Sequence, residues 1–124
     1  MSNVWHGLAP ELPVNDMAAA KKHYTEVLGF TEQWDFDGGF VAMARGDVMV
    51  FLRLTEPGFD SAVVNFYVSD VDALHDELVA AEANVLAAPE DKPWGTRELA
   101  FADEDGNIFR VHQLPTKREG ADDR

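Results

Sequence analysis

Two short stretches of this chain carry side chains able to bind or transform a small molecule. Trp34-Asp35-Phe36-Asp37 alternates aromatic faces with carboxylates, a combination suited to stacking on a ring while pairing with a cationic group. Near the end of the apolar part of the chain, Arg110 and His112 stand two residues apart, which places both on one face of a strand. A lone histidine acts as acid or base only when a partner orients it, and Glu11 can be that partner if its strand adjoins. There is no Gly-rich phosphate loop, nucleophile elbow or Ser/His/Asp arrangement. The absence of cysteine removes thiol nucleophiles, zinc-thiolate sites and a disulfide framework.

Charge narrows the partners. Twenty-three acids against 10 bases give a net charge of −13, which argues against a nucleic-acid backbone and favours a cationic ligand, or else serves solubility alone. At 124 residues with 46% hydrophobic content, one soluble globular domain is expected. No apolar run approaches the ~18 residues of a membrane span, and Met1–Glu11 has neither the basic nor the apolar region of a signal peptide. The expected location is therefore cytoplasmic.

The elements that must position these residues are written twice. Leu12-Pro13-Val14-Asn15-Asp16 opens into a helical stripe of Met17, Ala20, Tyr24, Val27 and Leu28, stopped by Gly29. Phe66-Tyr67-Val68-Ser69-Asp70 opens into a second stripe of Val71, Leu74, Leu78 and Ala81, with Asn84 as its expected stop. Helices are thus expected over 17–28 and 71–82. After each, the period changes to 2, and hairpins are expected over Gly39–Ala44 with Val48–Leu54 and over Arg97–Ala102 with Ile108–Gln113. The fold class is α+β: two tandem βαβββ modules, approximately 8–55 and 60–114, forming a curved mixed sheet with a concave cleft and helices on the outer face. The single domain spans 1–114, and 115–124 is expected to be a flexible tail.

Several of these residues carry a resemblance. The Asp-capped helix ending in Tyr24…Leu28-Gly29-Phe30 resembles a signature of the vicinal oxygen chelate superfamily, which includes glyoxalases, extradiol dioxygenases and bleomycin-resistance proteins. Phe66–Leu74 is similar to its second strand-to-helix junction. Pro93-Trp94-Gly95-Thr96-Arg97-Glu98…Asp103-Glu104-Asp105-Gly106-Asn107 is similar to a segment of the bleomycin-resistance-like branch, with Thr96 inserted and Glu104 where a proline is usual. For enzymes of the superfamily, the resemblance implies metal ligands at the positions held here by Ala9, Val63, Arg110 and either Met49 or Phe51. None of these can hold a divalent ion, nor can Pro10, Val64 or Val111 after a one-residue slip. No metal and no cofactor is expected.

Alternation places Glu11, Met49, Phe51, Arg53, Asn65, Tyr67, Arg110 and His112 in the cleft, with Leu12, Val14, Val50, Leu52, Val64, Phe66, Phe109 and Val111 under the helices. Trp34, Asp35, Phe36, Asp37, Phe40, Trp94 and Gly95 are expected at its rim. Trp94 either anchors its turn or stacks on ligand, and Asp35 and Asp37 either face ligand or build the turn before Gly38-Gly39. The residues and the resemblance together favour a metal-free homodimer that sequesters a cationic, partly aromatic antibiotic of bleomycin type. The resemblance further implies clefts shared between two chains and exchange of a segment such as Ser2–Pro10. The alternatives are a metal-dependent lyase, isomerase or dioxygenase, which needs three clustered ligands from Glu11, Asn65, His112 and the rim acids, and a small-molecule sensor domain.

Overall fold

The computed structural model describes residues 2–114. The expected flexible tail, 115–124, lies outside the described residues. Elements follow in the order β1 (Glu11–Val14), α1 (Met17–Glu26), β2 (Thr31–Phe36), β3 (Phe40–Arg45), β4 (Val48–Leu54), β5 (Val63–Tyr67), α2 (Val71–Ala80), β6 (Asn84–Asp91), β7 (Arg97–Ala102) and β8 (Ile108–Gln113). The βαβββ pattern therefore occurs twice. Its strands hydrogen-bond as two separate four-stranded sheets, β1-β4-β3-β2 and β5-β8-β7-β6, rather than as one continuous sheet.

Both helices start as their sequences dictate. Asp16 and Asp70 lie in extended backbone, and each accepts the N–H three residues on, from Ala19 and Ala73, at 3.0 Å. Both end sooner than the apolar stripe suggests, at Glu26 and Ala80. Gly29 takes φ +77° after α1, as expected. After α2 the left-handed position falls on Glu82, at φ +61°, because the Ala83 N–H reaches back to the Leu78 carbonyl at 2.9 Å. Asn84 is not the stop; it opens β6.

In each sheet the first strand runs parallel to the last, Leu12 beside Leu52 and Phe66 beside Val111. This register puts Leu12, Val14, Val50, Leu52, Phe109 and Val111 fully inside, while Val64 and Phe66 are only half-buried. Tyr24 ties the modules together: its ring meets Phe30 at 5.5 Å and Phe109 at 6.3 Å, edge-on in both cases. Its hydroxyl donates to Asp103 at 2.7 Å, and burial followed by the Asp103 charge pushes it well above the usual tyrosine range, so the proton stays in place. Among the described residues, no helix is long and apolar enough to cross a membrane.

Candidate functional site

The strand registers define what the helix-free faces present. In the first module one row across the sheet reads Glu11, Phe51, Ala42, Trp34, and the next reads Pro13, Arg53, Phe40, Phe36. The matching rows of the second module read Asn65, Arg110, Ala100, Ala87 and Tyr67, His112, Glu98, Glu90. The two faces are built alike and furnished differently. One is aromatic; the other is polar.

On the first face Trp34, Phe40 and Phe51 form a closed triangle with ring centroids 5.1–5.4 Å apart. Ala42 between them is small enough to let the rings meet. The Arg53 guanidinium caps Phe40 at 4.2 Å and is held by Glu11 at 2.6 Å. Trp34 is still 42% exposed while Phe40 and Phe51 are half-buried, so the triangle is a partly open surface, with Phe36 beside it 68% exposed. Met49 lies on the same side of β4, half-buried.

Trp34 and Phe36 lie in β2, an edge strand of the first sheet. The β2–β3 turn takes positive φ at Asp37 (+53°) and Gly38 (+70°), closed by the Gly39 N–H on the Phe36 carbonyl at 3.1 Å. Asp35 accepts the Gly38 N–H at 2.8 Å and the Lys21 ammonium at 2.6 Å, and the Lys21 hydrogen bond leads the interactions that hold its carboxyl below the usual range. Asp35 and Asp37 thus both contribute to the turn.

On the second face His112 has two orienting partners. Its Nδ1 is 3.0 Å from Glu98 Oε2, and its Nε2 is 2.8 Å from Asn65 Oδ1. Glu11 is not the partner, because its strand pairs with β4 and its carboxylate with Arg53. Glu98, only 7% exposed, also accepts from Trp94 Nε1 and Thr96 Oγ1, each at 2.8 Å. Burial pushes the Glu98 carboxyl upward, but the Thr96 and Trp94 hydrogen bonds and the His112 charge outweigh it, leaving it below its ordinary 4.5. Trp94 is therefore anchored through its N–H while its ring stays 67% exposed, in a turn where Gly95 takes φ +104° and donates to the Lys92 carbonyl at 3.0 Å.

Glu98 had no signal in the sequence by itself. It becomes conspicuous only once β7 is set antiparallel to β8 with Glu98 opposite His112. Because its native-state carboxyl is depressed, its contribution to stability is present above the ordinary carboxylate value and lost as pH falls below it. Thermal unfolding followed downward from pH 6 should therefore show wild type losing more stability below pH 4.5 than Glu98→Gln. Parallel loss in both proteins would remove Glu98 as the cause.

The residues present do not fit a divalent ion. Ala9 precedes β1, Val63 is an exposed apolar side chain, and Arg110 lies between Asn65 and Ala100 in its row. Among the described residues, no three His, Asp or Glu side chains are grouped to hold a metal. His6 lies in the exposed segment before β1, and His23 and His75 lie on the helices, half-buried.

A further crevice is elsewhere. About 520 Å³ in volume, it lies at the junction of the modules, against Phe30, Arg45, Phe66, Ser69 and Leu74. Its floor includes Leu28, Leu78 and Phe101, each already at most 3% exposed, and the bidentate Arg45–Glu77 pair lies within it at 2.6 and 2.9 Å. The exposed aromatic surface lies instead on the sheet faces.

Comparison with known proteins agrees with this architecture. The family model described as Glyoxalase/Bleomycin resistance protein/Dioxygenase superfamily matches residues 8–111. An uncharacterized protein of Mycobacterium bovis is 29% identical over 129 residues, covering 90% of this chain and 85% of its own length. The bleomycin-binding protein from bleomycin-producing Streptomyces verticillus, solved with copper(II)-bleomycin, superposes with a TM-score of 0.77 at 24% identity, covering 94% of this chain and 100% of that one. A bleomycin resistance determinant encoded on the transposon Tn5 superposes with a TM-score of 0.79 at 23% identity, covering 90% and 100%. With its family match, its paired βαβββ modules and its helix-free faces in place, this chain belongs to the glyoxalase/bleomycin resistance/dioxygenase superfamily.

Proposed function

We propose that the protein binds a partly aromatic small molecule on the helix-free sheet faces without a metal, in the manner of the bleomycin-binding proteins it resembles, and so sequesters an antibiotic of that type. The observation that carries the reading is the partly open triangle of Trp34, Phe40 and Phe51, aromatic surface that a folded chain gains nothing by leaving exposed. The net charge of −13 favours a ligand that carries a cationic group. Sequestration requires no catalytic residue.

The same exposure supports a homodimer in which the faces of two chains enclose the ligand. Trp5 is 93% exposed and Leu8 88% in the segment before β1, and Val63 and Tyr67 are 55% and 61% exposed on the second module. Exchange of Ser2–Pro10 between copies covers the first pair; closure of the faces covers the second. The test is a titration of the purified protein with bleomycin, followed by tryptophan fluorescence with EDTA present. Quenching that saturates at micromolar ligand, one ligand per chain in a dimer, is expected. No quenching at millimolar ligand would overturn the antibiotic-binding reading.

A further inference from the structure

The polar face of the second module has a feature that neither a cationic ligand nor the fold requires. Of the four described arginines, Arg45 is held by Glu77 at 2.6 Å, Arg53 by Glu11 at 2.6 Å, and Arg97 by Asp72 and Asp91 at 2.9 and 3.1 Å. Arg110, exposed at the centre of β8, has no carboxylate partner among the described residues, in a chain whose acids outnumber its bases by more than two to one. Its neighbours across the sheet are Asn65 on one side and Ala100 on the other, with Ala87 beyond. Two alanines leave the guanidinium's side of the face low and open. In the first module the same position is Phe51, buttressed by Trp34 and Phe40.

The neighbouring row supplies hydrogen-bonding and aromatic groups. His112, one row away, is placed between Glu98 at 3.0 Å and Asn65 Oδ1 at 2.8 Å. Asn65, with its carbonyl turned to His112, keeps its amide N–H groups for a ligand beside Arg110. Tyr67 lies against His112, ring centroids 5.4 Å apart, and supplies an exposed aromatic surface next to this donor pair.

We infer that Arg110 and the Asn65 amide form a subsite for a carboxylate borne on an aromatic ring that rests against Tyr67. This deepens the proposed function and rests on it: the ligand carries an acid as well as its aromatic and cationic parts. A guanidinium meets a carboxylate through two parallel N–H groups, so the site selects planar oxyanions over halide and over neutral groups.

Three naphthalene probes of one size separate the subsite from the rest of the face: 2-naphthoate, 2-naphthol and 2-naphthylmethylammonium, each titrated at neutral pH by tryptophan fluorescence. Wild type should bind the naphthoate about tenfold more tightly than the naphthol, the factor expected of a charge-assisted hydrogen-bonded pair. Arg110→Gln should abolish that preference while leaving naphthol affinity unchanged, and Arg110→Lys should keep part of it. A preference for the naphthoate that survives Arg110→Gln, or no such preference in wild type, would overturn the anion subsite and leave the aromatic face standing. Failure of all three probes to bind would overturn the subsite, while the bleomycin titration decides the antibiotic-binding reading separately.

Discussion

Replacing Asn107 with alanine should destabilise the protein by about 3–4 kcal/mol, because the substitution strips partners from several buried polar groups at once. Asn107 is fully buried; its Nδ2 donates to the Pro13 carbonyl and to Asp103 Oδ2, each at 2.9 Å, and its Oδ1 accepts the Ala62 N–H at 2.8 Å. Asp103, 4% exposed, depends on that amide together with Tyr24 and the N–H groups of Asp105 and Asn107. The side chain thus ties the β7–β8 turn to β1 and to the segment before β5, joining the modules. Urea unfolding measures the effect as a lower midpoint at unchanged slope. The exposed Gln33→Ala serves as a control expected within about 0.5 kcal/mol of wild type. A loss below 1 kcal/mol for Asn107→Ala would mean that the junction does not depend on this network.

Trp34→Ala should weaken binding of a bleomycin-type ligand by about 1–3 kcal/mol while leaving the thermal midpoint close to wild type. The two effects separate because Trp34 lies on an edge strand, touches Phe40 and Phe51 on one side and is open on the other. Trp94→Ala is expected to be less clean, since it removes both a ring and a donor to the buried Glu98. Calorimetric titration of the two variants against wild type checks both statements. Unchanged affinity in Trp34→Ala would remove the aromatic triangle from the site.

The sequence disclosed what local chemistry controls. Asp16 and Asp70 cap because a short carboxylate before an apolar stripe has little else to do, and period-2 alternation separated Leu12, Val50 and Val111 from Glu11, Phe51 and Arg110 without error. What pairing controls was hidden. β2 is exposed along its whole length and broken by a bulge between Glu32 and Trp34, so its residues show no buried face and resemble a loop. β6 is exposed except at Val85 and Pro89, and its register shifts twice. Glu98 as the partner of His112, Glu11 as the partner of Arg53, and Asn107 as the seam between modules all depend on which strands adjoin, a fact carried by no single stretch of residues. Helix ends were also missed by up to two residues, because the αL turn at Glu82 follows from the closing hydrogen bond and not from residue type.

The central claim is that ligand binds on the helix-free faces rather than in the crevice between the modules. Backbone amide NMR of isotope-labelled protein, titrated with bleomycin in the presence of EDTA, tests it most directly. The account predicts that the largest shifts fall on Trp34, Phe40, Phe51, Asn65, Tyr67 and Arg110, with Ser69, Leu74 and Glu77 unmoved. Saturable shifts confined to Arg45, Ser69, Leu74 and Glu77 would contradict it and move the site to the module junction.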